Sequence, residues 1–137
     1  MNVRLQHCFI AVDDHDKAIH FYRDLLGLEI TNDVAYEGMR WVSMTPPAQP
    51  EIQIVLENPD ASPDASAADR EILKDLLAKG LLRGVVFEVD DVDATFDRVQ
   101  AGGAEVLQEP IDQHYGVRDC AFRDPAGNMI RINQRKK

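Results

Sequence analysis

Two short apolar runs, CFIAV at residues 8–12 and VVFEV at residues 85–89, each precede an amphipathic segment. Alternation with period two predicts a half-buried strand, and apolar residues three and four apart predict a helix. Asp14 and Asp91 are placed to cap the two helices, and glycines after each segment predict where it ends. The apolar helix positions are Ala18, Tyr22, Leu25 and Leu26 in the first segment, and Val92, Phe96 and Val99 in the second.

The chain repeats itself. VDDHDKA begins at Val12 and VDDVDAT begins at Val89, an offset of 77 residues. After each helix come three strand-like segments separated by turn-forming residues. In the first half these are LEITNDVAY, MRWVSMTP and EIQIVLEN; in the second they are AEVLQEP, YGVRDCAF and NMIRINQ, with a closing RDPAGN turn. The pattern predicts two β-α-β-β-β modules, an α+β fold.

The segment between the repeats begins with many Pro, Asp, Ser and Ala residues and becomes helical from Ala67 to about Lys79. We predict module 1 over residues 1–57, a linker with this helix over 58–82, and module 2 over 83–137. Modules of this size are too small to bury an adequate core alone, so we expect one domain. The linker helix has an apolar face that must cover either the ligand site or a partner. This face consists of Ile72, Leu73, Leu76 and Leu77.

Composition limits the classes of function. Hydrophobic residues make up 45% and charged residues 28%, an ordinary globular mix. The net charge of −9 disfavours nucleic acid as a partner. The sequence has no apolar run of the roughly 20 residues that span a bilayer, and its N-terminus lacks the pattern of a signal peptide. Cys8 and Cys120 are far apart, which suits reduced thiols, so we expect a cytoplasmic protein without a membrane partner.

These motifs together resemble the vicinal oxygen chelate superfamily, which includes glyoxalase I, extradiol dioxygenases and bleomycin resistance proteins. The resemblance rests on the two modules, His7 on the first strand, the FYRDLLGLE helix end and the RDPAGN turn. It implies that each module forms an open, cup-shaped sheet. In metal-binding members the ligands project into the cup from the first and fourth strands of each module.

The resemblance locates four ligand positions in this chain. Strand alternation turns His7 toward the cup, and the repeat offset makes Gly84 its counterpart. Aligning the fourth strands by their Ile-X-Ile pattern equates Gln53 with Arg131. Histidine is a good metal ligand, a glutamine oxygen is weak, glycine has no side chain and arginine is a cation. We therefore predict no metal cofactor, with a divalent metal at His7 and Gln53 as the alternative.

Without a metal, the cup would hold a small-molecule ligand. Arg131 would anchor an anionic group, or else pair with Glu57 or Glu88. Trp41 would form an aromatic wall or lie in the core, and Arg118 would reach the ligand or pair with Asp119 or Asp124. We expect His15 to be exposed to solvent. The predicted ligand-binding residues are His7, Gln53, Glu57, Glu88, Arg131, Trp41, Tyr115 and Arg118.

The sequence favours a small-molecule-binding protein with a degenerate metal site, serving sequestration or resistance. One alternative is a metal-dependent glyoxalase-like lyase or dioxygenase that uses His7. Another is a metal-free enzyme with Glu57 or Glu88 as general base and Arg131 stabilising an enolate. The resemblance also implies a homodimer.

Overall fold

The computed structural model describes residues 1–59, 62–82 and 84–135. Arg83, the first residue predicted for module 2, lies outside these ranges. The first half contains β1 (His7–Ala11), α1 (His15–Ile19) continuing as a π-helical segment (His20–Leu25), β2 (Glu29–Tyr36), β3 (Met39–Thr45) and β4 (Gln53–Glu57). The helix α2 (Ala67–Ala78) follows. The second half contains β5 (Val86–Glu88), α3 (Val92–Ala101), β6 (Glu105–Asp112), β7 (Val117–Arg123) and β8 (Met129–Arg135).

The strands form two four-stranded sheets with the same topology. Their orders are β1-β4-β3-β2 and β5-β8-β7-β6. In each sheet the first strand pairs in parallel with the fourth, and the other neighbours are antiparallel. The predicted pair of β-α-β-β-β modules is confirmed.

The chain forms two compact units, residues 1–74 (unit 1) and 75–137 (unit 2). The division falls inside α2, the helix that the sequence assigns to the linker. The predicted module boundaries and the single domain stay predictions.

The core of unit 1 lies between the sheet and the first helix. Ile10 of β1, Val12 directly after it and Leu56 of β4 are buried against this side, together with Phe21 and Tyr22 of the π-helical segment. The Asp14 carboxylate accepts a hydrogen bond from the Lys17 N–H at 3.1 Å and caps the helix, as predicted. The face of β1 that bears Ile10 therefore packs on the helix, and the opposite face, which bears His7, is left open.

Unit 2 repeats this arrangement. Asp91 caps α3 through the Ala94 N–H at 3.0 Å, and Phe96 stacks on Phe122 of β7 with ring centroids 5.3 Å apart. Ile130 and Ile132 of β8 are fully buried on the same side. Because side chains alternate along a strand, Arg131 lies on the opposite, open face.

The closing turn of unit 2 is held by one carboxylate. Asp124 Oδ1 accepts hydrogen bonds from the N–H groups of Ala126, Gly127 and Asn128 at 2.9 to 3.0 Å. Gly127 has φ of 122°, and a Cβ there would overlap the Leu77 carbonyl oxygen of α2. Only glycine suits both the conformation and the close approach.

The linker helix α2 begins at a reciprocal capping box. Ser66 Oγ accepts from the Asp69 N–H at 3.1 Å, and Asp69 Oδ2 accepts from the Ser66 N–H at 3.0 Å. On its predicted apolar face Leu77 is buried, but Ile72 is 58% exposed. That face is covered at its C-terminal end and open at Ile72. No helix of the described ranges is long and apolar enough to cross a bilayer.

Candidate functional site

The open face of unit 1 begins with His7 and Gln53, which are paired across β1 and β4. Phe9 pairs with Val55 in the next row, and Ala11 pairs with Glu57 after that. His7 is half-buried and shares its face with the exposed ring of Phe9. The two predicted metal ligands of unit 1 are thus direct neighbours.

The register of unit 2 corrects one sequence alignment. The N–H of Val12 donates to the Glu57 carbonyl at 3.0 Å, and the N–H of Val89 donates to the Asn133 carbonyl at 2.8 Å. Glu57 and Asn133 are therefore equivalent, and counting back along each fourth strand makes Met129 the counterpart of Gln53. Equating Gln53 with Arg131 was wrong by two residues, and Arg131 is equivalent to Val55. Because a shift of two keeps the same face, Arg131 still lies on the open side.

Gly84, the counterpart of His7, has no space for a side chain. A Cβ at this position would overlap the carbonyl oxygen of Met129. The main chain of β8 thus occupies the volume that a ligand side chain would need. The position is closed by backbone packing as well as by residue type.

Arg131 is held by a carboxylate other than those expected from the sequence. Its Nη1 donates to Asp119 Oδ2 and to Gln108 Oε1, both at 3.2 Å. Among the described residues the ion-pair partner of Arg131 is Asp119. The alternative that Arg131 pairs with Glu57 or Glu88 was wrong. Glu88 instead forms an exposed pair with Arg135 at 3.2 Å.

Asp119 is the centre of a polar network on the open face of unit 2. Its side chain is fully buried and accepts hydrogen bonds from Gln108 Nε2 at 2.7 Å and Gln113 Nε2 at 3.0 Å. The Tyr115 hydroxyl donates to it at 3.4 Å. Burial acts to raise the pKa of Asp119, but the two amide donors and the Arg131 charge outweigh it and hold the pKa below its usual range. Asp119 is therefore a carboxylate in the folded protein near neutral pH.

Tyr115 and Arg118, which were predicted at the ligand site from unit 2, have different surroundings. Tyr115 is 60% exposed and contacts His114 edge-on, with the ring centroids 5.1 Å apart. Arg118 pairs with Asp93 at 2.8 Å and with Asp112 at 3.4 Å. The alternative that Arg118 pairs with Asp119 or Asp124 was wrong, because its guanidinium binds Asp93 of α3 and Asp112 of β6.

The residues at the implied ligand positions do not fit a divalent metal. Unit 1 supplies one imidazole and one neutral amide, while unit 2 supplies a glycine, Met129 and an arginine already paired with a carboxylate. Within residues 1–59, 62–82 and 84–135, no group of three His, Cys, Asp or Glu side chains is placed to hold a metal ion. A catalytic metal usually takes about three protein ligands.

A pocket of about 450 Å³ opens in unit 1 where β4 ends and the β2–β3 hairpin turns. Trp41 is 43% exposed there, so the alternative that it lies in the core was wrong. Glu57 is exposed at the same end of β4. The pocket is lined by His15, Gly38, Met39, Arg40, Trp41, Val55, Leu56, Glu57 and Asn58.

The charged wall of this pocket is fixed by ion pairs. Arg40 Nε and Nη2 bind the two oxygens of Asp33, each at 2.8 Å, and Nη1 binds Asp16 at 2.8 Å. The Arg40 guanidinium holds the pKa of Asp33 below its usual range. His15 was expected in solvent but is half-buried in the pocket wall, where its Nε2 donates to the Leu56 carbonyl at 3.1 Å.

Sequence reasoning located Trp41 and Glu57 but missed their neighbours His15, Met39, Arg40 and Asn58. His15 directly follows the capping residue Asp14, and this position alone predicts exposure to solvent. The sequence signal for Met39 and Arg40 was Gly38, a turn-forming residue directly before them. In the structure Gly38 has φ of 78° and ends the hairpin turn from which β3 begins. In unit 2 the sequence pattern predicted only a pairing with Arg118 for Asp119, and it predicted no role for Gln108 and Gln113.

The arrangement has clear counterparts among known proteins. The model of the Glyoxalase/Bleomycin resistance protein/Dioxygenase superfamily matches residues 4–132. The chain belongs to this superfamily. The resemblance stated from the sequence is confirmed, and the two open sheets are those of the glyoxalase fold.

Three similar proteins show what the relatives of this chain are described as. The crystal structure of UcmS2 superposes with a TM-score of 0.85 at 34% identity, covering 97% of this chain and 98% of that one. TnmS3, an antibiotic binding protein from a Streptomyces species, has a TM-score of 0.76 at 28% identity, with 98% of both chains covered. A probable lactoylglutathione lyase of Vibrio cholerae is 30% identical over 99% of this chain and 94% of its own length. The chain is thus similar both to a protein described as an antibiotic binding protein and to one described as a probable lyase.

Proposed function

We propose that the chain is a small-molecule-binding protein whose ligand occupies the unit 1 pocket. The observation that carries the proposal is the combination, in about 450 Å³, of the Trp41 ring and the apolar Met39 and Val55 with the polar groups of Glu57 and His15. Ligand sites are typically apolar concavities of about 300 to 1,000 Å³ with a few orienting polar groups. The likeness to TnmS3, described as an antibiotic binding protein, supports sequestration or resistance as the role.

The thiols favour binding over covalent chemistry. Burial is the main cause that raises the pKa of Cys120, to about 11, and burial also raises the pKa of Cys8. Both groups are therefore protonated near neutral pH, and a protonated thiol is a poor nucleophile. The pocket contains neither cysteine.

Trp41 makes the proposal directly testable because it is the only tryptophan of the chain. A library of drug-sized compounds should be screened by thermal shift, and hits titrated against the fluorescence of Trp41. We expect bound ligands to change this emission. Trp41→Ala should weaken their binding by tenfold or more, as expected for the loss of about 1.4 kcal/mol of aromatic contact, measured by calorimetry.

Tyr36→Ala is the matched control, because Tyr36 is an exposed aromatic residue on the same hairpin but does not line the pocket. It should bind the same ligands as the unaltered protein. Hits that bind equally well to both variants would place the ligand elsewhere and contradict the proposal.

A metal-dependent lyase is the second candidate, favoured by the 30% identity to the probable lactoylglutathione lyase. It requires a metal that the ligand positions described above do not suit. We expect purified protein incubated with Ni²⁺, Zn²⁺, Fe²⁺ or Mn²⁺ to retain far less than one ion per chain by elemental analysis. Stoichiometric metal that is lost in His7→Ala, but not in His20→Ala on the exposed helix face, would favour the lyase.

A further inference from the structure

We propose that the unit 1 pocket selects ligands in which an ammonium group accompanies an aromatic or apolar body, and that Glu57 and Trp41 are the partners of the cation. This inference rests on the proposed function, because it specifies the ligand class of the same pocket. It specifies the sign of the ligand's charge, which the size and apolar character of the pocket alone do not determine.

Glu57 and Trp41 lie side by side across two strands. Val42 pairs with Leu56 in the antiparallel register of β3 and β4, so the preceding Trp41 faces the following Glu57. Both residues line the pocket. Side chains directly opposite in such a pair have Cβ atoms about 4.5 to 5.5 Å apart. A single cationic group can therefore meet the carboxylate and the indole face together.

The Glu57 carboxylate is available to a ligand. Its side chain is exposed, and no residue of the described ranges forms a hydrogen bond or an ion pair with it. A carboxylate accepts hydrogen bonds from an ammonium group, and the face of an indole attracts a cation electrostatically. The two partners thus favour the same ligand charge.

The positive charge in the pocket wall is already neutralised. Arg40 is bound on three nitrogens by Asp33 and Asp16, so the fork that would grip a ligand carboxylate is occupied. The one guanidinium charge of Arg40 stands against the three carboxylate charges of Asp16, Asp33 and Glu57. The potential at the pocket is therefore negative and opposes an anionic ligand.

Three probes that differ mainly in charge test this inference. They are 2-phenylethylammonium, its neutral N-acetyl derivative and the anionic 3-phenylpropanoate, each titrated against Trp41 fluorescence at low salt. We expect the ammonium probe to bind at least fivefold more tightly than the other two. Its affinity should fall as salt is added, because partly exposed charges are screened.

Substitutions of Glu57 supply the decisive comparison. Glu57→Gln should weaken the ammonium probe about fivefold and leave the neutral probe unchanged. Glu57→Lys should reverse the preference, so that 3-phenylpropanoate binds more tightly than the ammonium probe. Glu29→Gln, an exposed carboxylate of unit 1 outside the pocket, is the matched control and should change neither affinity.

Two outcomes would overturn the inference. One is equal affinity for the three probes with no effect of Glu57→Gln, and the other is no response of Trp41 to the ammonium probe up to millimolar concentration. The proposed function is judged separately by the compound library. Neutral or anionic library hits that depend on Trp41 would leave it standing while this inference fails.

Discussion

At the scale of single residues, the two units use charge in opposite ways. In unit 2 Asp119 and Arg131 satisfy each other within a network of amide donors on the open face. In unit 1 the Glu57 carboxylate has no such partner among the described residues, and it faces the pocket. A buried, fully bonded carboxylate stabilises structure, whereas an exposed, unbonded one is available to a ligand.

Asp119→Asn should destabilise the protein by about 1 to 3 kcal/mol at pH 7, because it leaves Arg131 without its charge partner and changes a buried acceptor to a donor. The measurement is urea unfolding monitored by circular dichroism. Since the pKa of Asp119 is lowered in the folded state, its contribution is complete above the pKa of the unfolded chain and is lost as pH falls through the folded value. The difference between variant and unaltered protein should therefore shrink below about pH 4.

Asp93→Asn is the control for this prediction. Asp93 also accepts a guanidinium, from Arg118, but at an exposed site where solvent screens the pair. Its effect should be clearly smaller than that of Asp119→Asn. Equal losses of unfolding free energy would show that the Asp119 network contributes no more to stability than an exposed ion pair.

At the scale of helices and strands, alternation predicted faces correctly but did not predict register. Ile130 and Ile132 are buried and Arg131 lies on the open side, as the period-two pattern indicates. The pairing of the fourth strands was wrong by two residues because a shift of two leaves every side chain on the same face. The hydrophobic pattern is thus the same before and after a two-residue shift, although the shift changes which residues of the two fourth strands are equivalent.

The partners of the arginines show a second limit. Arg118 and Asp119 are adjacent on β7, so their side chains point to opposite faces, and alternation alone argues against their pairing. What the sequence does not contain is the three-dimensional distance from Arg131 to Asp119 or from Arg118 to Asp93. Those pairs join separate elements, and their contact depends on register and on the crossing of α3 over the sheet.

The closing turn of unit 2 gives a prediction at this scale. Gly127→Ala should destabilise the protein by about 1 to 3 kcal/mol from backbone strain, and by more because its Cβ would overlap the Leu77 carbonyl oxygen. Gly103→Ala is the control, since Gly103 also has positive φ, 92°, but open space around its Cβ position. Urea unfolding should show a larger loss for Gly127→Ala, and equal losses would mean that the overlap relaxes without cost.

At the scale of the whole molecule, much apolar surface remains exposed in the chain taken alone. Phe9 and Val34 in unit 1 and Val86 and Met129 in unit 2 are large apolar residues open to solvent on strands. Exposed apolar side chains mark sites of association or ligand binding where they form a contiguous patch. The repeat and its hydrophobic pattern predict the fold, but they do not predict what covers these exposed residues.

We expect a homodimer in solution. Size-exclusion chromatography with light scattering should give about twice the chain mass of 15.4 kDa at micromolar concentration. Phe9→Asp, which places a charge on an exposed strand face, should shift the protein toward monomer, while Thr31→Asp on β2 should not. A mass of one chain for the unaltered protein would contradict the expectation.

The contact between Gly84 and the Met129 carbonyl has a consequence for the history of the fold. A histidine codon at position 84 would not by itself create a usable imidazole, since the strand backbone occupies that volume. Regaining a ligand there requires a second change that moves β8, and the first change alone brings only strain. A single substitution can therefore remove a metal ligand at this position more easily than a later one can restore it. Relatives with glycine at this position should accordingly form a lineage of their own.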